Sequence, residues 1–322
     1  MKKTLAVLII AALALSILAG CGGSTGSQSN NSANNTAGQS DNSANNTAGQ
    51  SESSANPASD WNESRTISVV SREDGSGTRG AFIELFGIQV RDDTGGSRDL
   101  TTREATIADG TNIMMTNIAS DPYAIGYISL GSLNDTIKAL NIDGVQASVE
   151  NIKNGSYEIQ RPFNVAWLGE AEGLQEDFIN FIFSKEGQDV VADRGYIVVD
   201  DNAPAYSGER LSGRLVINGS SSVYPLMERI VEAYQAVNSN ASIELHQTDS
   251  SAGMTAAMNG SCDIGMASRD LRDSEKEALS HTAIAIDGIA VIVNNENPRA
   301  NLTSEQINSI FTGETTEWSS AK

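Results

Sequence analysis

The sequence has few of the side chains that hold metal ions or form disulfide bonds. Cys21 and Cys262 are its only cysteines, and His246 and His281 are its only histidines. So small a set argues against a structural zinc site, which takes four ligands drawn mainly from these two residue types. We expect neither a metal ion nor a cofactor.

Positive charge is also scarce. The chain has 21 Lys and Arg residues against 41 Asp and Glu residues, a formal net charge of −20. A surface of this sign repels the backbone of nucleic acid, so we expect no nucleic-acid partner. The net charge does not exclude a small anionic ligand, because a buried anion site depends on local dipoles and one or two arginines.

The long apolar run of the chain, Leu5 to Leu18, follows Lys2 and Lys3 and ends in the letters LAGC. It is too short to favour a transmembrane helix and is typical of a secretory signal. Small residues directly before Cys21 resemble a lipobox, in which the cysteine is lipidated and becomes the first residue. A plain secretory signal with an incidental cysteine is the alternative. We expect residues 1–20 to be a signal peptide and the protein to be extracytoplasmic, a lipoprotein anchored to the outer face of the cell membrane.

After Cys21 the composition changes to Ser, Asn, Gly, Ala, Thr and Gln, with the near-identical copies NNSANNTAGQS at 30–40 and DNSANNTAGQS at 41–51. Such a segment cannot bury enough apolar surface to fold, so 21–60 is predicted to be a lipidated, flexible tether. Lipidation of Cys21 would leave Cys262 without an intramolecular disulfide partner, and we expect Cys262 to be a small buried residue.

From Arg65 onward, strand and helix patterns alternate. Strands are predicted at 66–71, 214–218, 242–247 and 283–293, and helices at 77–86, at 174–183, from Pro225, and between the capping box at Thr303 and the stop at Gly313. This alternation favours an α/β fold with mainly parallel sheets.

Three loops rich in Gly and Ser lie between a predicted strand and a predicted helix: 71–78 (SREDGSGT), 218–222 (NGSSS) and 248–253 (TDSSAG). Hydroxyl groups donate hydrogen bonds, and glycine lets backbone N–H groups approach a ligand closely. A helix N-terminus adds unpaired N–H groups and a partial positive charge. One such loop is usually a cap or turn, but three in one chain, two with an arginine nearby, favour a site for a tetrahedral oxyanion.

Six segments resemble those of the periplasmic phosphate-binding proteins. They are 71–82 (SREDGSGTRGAF), 121–131 (DPYAIGYISLG), 217–228 (INGSSSVYPLME), 249–271 (DSSAGMTAAMNGSCDIGMASRDL), 286–294 (IDGIAVIVN) and 310–318 (IFTGETTEW). The resemblance covers the chain from Thr66 to its C-terminus. It implies a two-lobed, type II periplasmic-binding-protein fold with a hinge and an interlobe cleft. It also implies a solute-binding protein, not an enzyme, that captures inorganic phosphate for the permease and ATPase of an ABC importer.

The order of these segments departs from the family, in which the segment like 310–318 runs directly into the one like 71–82. The chain resembles a circular permutation, cut before Thr66 and rejoined through 198–214. We expect 65–124 to be the first part of one lobe, 125–288 to be the other, continuous lobe, and 289–322 to complete the first. The alternative is a fusion of half-copies that complete each other between chains, so a monomer is expected and a swapped dimer stays open.

The resemblance implies which residues bind phosphate. They are Arg72, Ser76, Gly77, Thr78, Ser220, Ser221, Ser222 and Ser250. We expect Arg269 to be a second cationic contact, with a salt bridge on the surface of its lobe as the alternative. Arg269 stands where the family has an aspartate that accepts the proton of hydrogen phosphate. Asp74, Asp249 and Asp287 are the candidates to replace that acceptor, and Asp74 is expected rather to orient Arg72.

Other functions stay open at this point. The change at Arg269 leaves room for another oxyanion, such as sulfate, molybdate or tungstate, because only phosphate offers an O–H to a carboxylate. A phosphate sensor or an adhesin on the same fold is a further alternative. A serine hydrolase is disfavoured because Ser76 lies in a G-S-G turn rather than in a G-x-S-x-G elbow.

Overall fold

The computed structural model describes residues 61–91 and 97–321. The predicted signal peptide, Cys21 and the tether lie outside these residues. Within them, no helix is both long enough and apolar enough to cross a membrane.

Strands and helices alternate along the chain, as the sequence predicts. The strands are β1 Ser68–Arg72, β2 Gln89–Arg91, β3 Ser97–Asp99, β4 Thr106–Ala108, β5 Ala124–Ser129, β6 Ile137–Ala139, β7 Asn141–Ile142, β8 Gln160–Trp167, β9 Gly213–Ser220, β10 Ala241–Thr248, β11 Ile264–Ala267, β12 Ser280–Asn294 and β13 Asn301–Leu302. The helices are α1 Gly77–Leu85, α2 Thr111–Ser120, α3 Val149–Lys153, α4 Gly173–Ile182, α5 Lys185–Asp193, α6 Tyr224–Val237, α7 Ser250–Met258, α8 Asp273–Ala278 and α9 Ser304–Thr312, with a 3-10 turn at Leu130–Ser132.

Most strands form one mixed sheet in the order β10-β9-β11-β8-β12-β5-β1-β4, with β6 beside β12. The two ends of the sheet are parallel, β10-β9-β11 on one side and β5-β1-β4 on the other. Between them, β8 and β12 run antiparallel to each other and to their outer neighbours. In each parallel part the carboxyl ends of the strands lead into helices, as βαβ connections require.

Two apolar cores divide the folded residues. The terminal cluster takes its buried side chains from residues 67–159 and 289–321, and the central cluster takes its own from residues 163–285. Residues 125–159, which the sequence analysis assigns to the continuous lobe, pack in the terminal cluster because β5 pairs with β1. The observed change of core therefore falls between Ile159 and Phe163. Cys262 is buried, as expected, in a small third cluster beside α7.

The two ends of the described chain lie side by side. Thr66 forms a β-bridge with Glu317, and the Ile67 N–H donates to the Thr316 carbonyl over 2.8 Å. The fully buried Trp318 packs edge-on to Trp61, at a ring separation of 5.9 Å. Backbone pairing and aromatic packing thus fasten the C-terminal segment to the start of the fold.

Helix ends follow the chemistry of their caps. Ser76 caps α1 by accepting from the Arg79 N–H, and α1 ends just before Gly87, whose φ of 64° favours glycine. The capping box of Thr303 and Gln306 and the left-handed Gly313 bound α9 as predicted. The exact caps matter because the N-termini of α1, α6 and α7 carry the predicted site loops.

Candidate functional site

The three predicted loops meet between the two clusters, and a fourth loop joins them. Loop 71–78 leads into α1 and loop 218–222 into α6, while α7 begins at Ser250 and α2 at Thr111. The N-termini of these four helices converge on one group of hydroxyl side chains. The first turn of a helix has backbone N–H groups without a partner in the helix itself, and it carries the positive end of the helix dipole.

Arg72 is the cation within this group, and it is 1% exposed. Its guanidinium donates to both carboxylate oxygens of Glu73, each over 2.7 Å, and to Ser221 Oγ over 2.9 Å. Burial works to raise the pKa of Glu73, but the hydrogen bonds and charge of Arg72 outweigh it and hold the pKa below its ordinary value. Glu73 also accepts from the Gly110 N–H, so it fixes both Arg72 and the loop before α2.

Hydroxyl groups from opposite clusters touch directly. Thr78 Oγ1 lies 2.7 Å from Ser222 Oγ, and Thr111 Oγ1 lies 3.4 Å from both Ser221 Oγ and Ser222 Oγ. All four side chains are at most 4% exposed. A set of rotatable O–H groups at this spacing can turn as donors toward a common acceptor.

A second group of serines lies beside Gly77. Ser220 Oγ donates to Ser268 Oγ over 2.9 Å, and the Ser268 N–H donates to Ser250 Oγ over 3.1 Å. A Cβ atom at position 77 would lie 2.7 Å from Ser268 Oγ and closer still to Ser250 Oγ. Glycine at 77 is what lets α1 approach these serines from the opposite cluster.

The turn at Gly75 makes a further contact across the two clusters. The Ser251 N–H and hydroxyl both donate to the Gly75 carbonyl over 3.2 Å. Asp249 caps α7 by accepting from the Ala252 N–H, and its carboxylate would overlap a Cβ at position 75. Asp249 is thus the predicted acceptor candidate that contacts the 71–78 loop from the other cluster.

The other two acceptor candidates are placed differently. Asp74 does not orient Arg72, as the sequence suggested; its side chain is 98% exposed and pairs with Arg79 over 2.7 Å. Glu73 takes the orienting role because its side chain points inward while that of Asp74 points to solvent. Asp287 is 1% exposed and accepts hydrogen bonds from Arg161 and Ser129, not from the Thr and Ser side chains of the site.

Arg269 is held by a carboxylate of its own cluster. Its guanidinium donates to both oxygens of Glu275, over 2.7 and 2.8 Å, and Glu275 also accepts from the Arg272 N–H. Burial works to raise the pKa of Glu275, but Arg269 outweighs it and the pKa lies below its ordinary value. The structure therefore brings together the other predicted binding residues and places Arg269 beside them in an ion pair.

Sequence reasoning missed four residues of the site region: Glu73, Thr111, Arg161 and Ser268. The loop before Thr111 reads ADGT between a strand and a helix, so it carries the same signal as the three predicted loops. Arg161 and Ser268 offered no such signal, because strand pairing alone brings β8 beside the end of β11.

The arrangement suits a small oxyanion more than a metal ion. It offers hydroxyl groups, helix N-termini and a guanidinium, all of which donate hydrogen bonds. No group of three or more His, Cys, Asp and Glu side chains in residues 61–91 and 97–321 is arranged to hold a metal ion.

Known proteins are similar over most of this chain. A family model described as a PBP superfamily domain matches residues 34–186 and 204–322. Phosphate-binding protein PstS 2 of Streptococcus agalactiae serotype V is 52% identical over 256 residues, which are 79% of this chain and 87% of that protein. Phosphate-binding protein PstS of Bacillus subtilis is 33% identical over 150 residues, 44% of this chain and 46% of its own length.

A solved structure agrees with the sequence comparison. The crystal structure of a phosphate ABC transporter phosphate-binding protein from Streptococcus pneumoniae is 44% identical, with a TM-score of 0.66 over 80% of this chain and 100% of that chain. The family model and the long match to the streptococcal relatives establish that this chain belongs to the PBP superfamily, in the family of PstS phosphate-binding proteins.

Proposed function

We propose that this protein captures inorganic phosphate between its two clusters and delivers it to the permease and ATPase of an ABC importer. The observation that carries the proposal is the convergence of Arg72, Thr78 and Ser221–Ser222 from opposite clusters onto one donor-rich place. The relatives with long matches are named as phosphate-binding proteins, and the solved relative is titled as part of a phosphate ABC transporter. These are binding proteins, and this chain acts as one rather than as an enzyme.

The site binds phosphate mainly through dipoles. Arg72 is paired with Glu73 and Arg269 with Glu275, so neither brings an uncompensated charge. Four helix N-termini and the surrounding hydroxyl groups supply the remaining positive potential. This explains how a chain of net charge −20 can hold an anion: the local donors, not the overall charge, act on it.

The choice of phosphate over another oxyanion requires an acceptor for the phosphate O–H. Asp249 is our choice, because it lies against Gly75 while Asp74 is exposed and Asp287 is bonded elsewhere. Sulfate would leave such an acceptor unpaired, at a cost of about 1–3 kcal/mol. Asp249→Asn should therefore narrow the preference for phosphate over sulfate about tenfold in calorimetric titrations. An unchanged preference would remove Asp249 from this role and favour the broader oxyanion binder.

The lobes of the fold follow a circularly permuted order. The adjacency of Thr66 and Glu317 supports this, because a family chain would run through that junction without a break. Both clusters form within one chain, which favours a monomer over a swapped dimer. Strands β8 and β12 would then be the crossover strands of the hinge.

The protein acts outside the cytoplasm, held to the membrane by a lipid on Cys21. The apolar run and LAGC sequence before that residue support this anchor. The tether of 21–60 would let the folded part reach the importer. Metabolic labelling with a radioactive fatty acid tests the anchor, since a Cys21→Ala chain should take up no label.

Substitution of Arg72 tests the binding site. Arg72→Gln removes a buried guanidinium that contacts Ser221, so phosphate affinity should fall at least 30-fold, as truncation of buried charged contacts costs about 2–5 kcal/mol. The matched control is Arg214→Gln, which removes an exposed arginine that is also paired with a glutamate. Retention of radioactive phosphate on a filter measures both. Equal retention by the two variants would contradict the proposed site.

A further inference from the structure

A buried ion pair lies where the chain passes from one cluster to the other. Ile159, just before β8, packs in the terminal cluster, and Phe163 on β8 packs in the central cluster. Arg161 lies between them and pairs in register with Asp287 of β12. The two side chains are 3% and 1% exposed. The pair thus occupies the point where both crossover strands leave one core and enter the other.

The guanidinium of Arg161 donates both to Asp287 on the crossover strand β12 and to Ser268 beside the phosphate site. Its Nε and Nη2 donate to Asp287 Oδ2 over 3.2 and 3.0 Å, and Ser129 Oγ donates to Asp287 Oδ1 over 2.9 Å. Its Nη1 donates to the Ser268 carbonyl over 3.0 Å. Ser268 in turn bonds to Ser250 through its N–H and to Ser220 through its hydroxyl. One planar group therefore joins the crossover strands to the serine group beside Gly77.

A buried ion pair is weak evidence of stability, because removing two charges from water offsets much of their attraction. Its geometry is informative instead. The three donors of Arg161 point in fixed directions, whereas a lysine ammonium is a point charge on a flexible stem and cannot reproduce this fork. Arg161 therefore holds the carbonyl of Ser268 at a fixed position relative to β12.

We propose that Arg161 is a positioning residue for the phosphate site. It acts through Ser268, holding the end of β11 so that the Ser268 N–H and hydroxyl keep Ser250 and Ser220 in place when the two clusters close on the anion. Asp287 holds Arg161 in the required orientation. This inference rests on the proposed function, since it assigns a role within that same site.

The test compares Arg161→Lys with the parent, using the full chain and calorimetric titration with inorganic phosphate. Lysine keeps the charge beside Asp287 but loses the bond to the Ser268 carbonyl. We expect phosphate binding to weaken at least tenfold, chiefly through faster dissociation in stopped-flow measurements. The control is Asp177→Asn, which alters a buried group of the central cluster that accepts from Tyr206 and Tyr234 away from the site. Its phosphate affinity should stay within twofold of the parent.

Each outcome separates the two proposals. If the parent binds no phosphate, the proposed function fails before the variants are compared. If the parent binds and Arg161→Lys binds equally well, the positioning role is wrong. If Asp177→Asn weakens binding as much as Arg161→Lys, the loss reflects general loosening of the cluster and the inference is overturned. Asp287→Asn should lower affinity in the same direction as Arg161→Lys, since it releases the guanidinium, and an unchanged affinity would again contradict the role.

Discussion

A single methyl group at position 77 should hold the two clusters apart. In Gly77→Ala the new Cβ would lie 2.7 Å from Ser268 Oγ and nearer to Ser250 Oγ, inside the 3.0 Å that Cβ atoms keep from other heavy atoms. Both serines lie on the opposite side of the site from α1. Neither can move away freely, because the Ser268 N–H donates to Ser250 Oγ. Overpacking of this kind costs about 1–3 kcal/mol. Since the clash exists only when the sides meet, the cost should appear in ligand binding, as a rise in the phosphate dissociation constant of about 5- to 150-fold.

Gly80→Ala is the matched control for this variant. It also adds one methyl group to α1, but the nearest atom to its Cβ would be Arg269 Cδ at 3.6 Å, an ordinary contact. Its helix propensity should improve by up to about 1 kcal/mol. Phosphate titration of both variants, with thermal unfolding in the absence of phosphate, separates binding from stability. Parent-like affinity in Gly77→Ala would refute the close approach of α1 to the serines.

Three further outcomes follow from the charged and polar contacts. Arg269→Gln should lower the free energy of unfolding in urea by about 3 kcal/mol, since it leaves Glu275 buried without its partner, and should change phosphate affinity less than threefold; a loss above tenfold would mean that Arg269 binds the anion. The folded pKa of Glu275 lies below its ordinary value, so its contribution to stability is present above about pH 4.3 and is lost as the pH falls through the folded pKa. The free energy of unfolding of the parent should therefore fall in acid, and Arg269→Gln should make this dependence on pH weaker. Tyr206→Phe removes a 2.7 Å bond to Asp177 and should lower stability by about 1 kcal/mol with phosphate affinity unchanged; a change in affinity would show coupling that the contacts do not predict.

Local signals in the sequence predicted four of the thirteen strands and four of the nine helices found in the described residues. Those four strands, the α9 capping box and the stop at Gly313 follow from short-range chemistry, and each is found within a few residues of its predicted place. The change of core was predicted near residue 125 but occurs near 160. Position along the chain could not fix it, because the assignment of β5 depends on its pairing with β1, a contact between distant segments.

The site was predicted in the same uneven way. Loops 71–78, 218–222 and 248–253 were predicted because strand–loop–helix segments rich in Gly and Ser have a local signature, while the individual residues within them were implied by the family resemblance. The acidic partners of the two arginines were not predicted: Glu73 rather than Asp74 pairs with Arg72, and Glu275 pairs with Arg269. Which of several acidic residues points inward is decided by packing, and the sequence pattern contains no measure of that.

Whether the converging loops bind phosphate selectively can be measured by calorimetric titration of the stripped protein with phosphate and, separately, with sulfate at neutral pH. Removal of bound anion by unfolding and refolding in phosphate-free buffer must come first, because a tightly held ligand would mask the heat. We expect one phosphate per chain to bind tightly, and sulfate to give no heat at the same concentrations. Equal binding of the two anions, or binding of neither, would contradict the claim that these converging loops form a phosphate site.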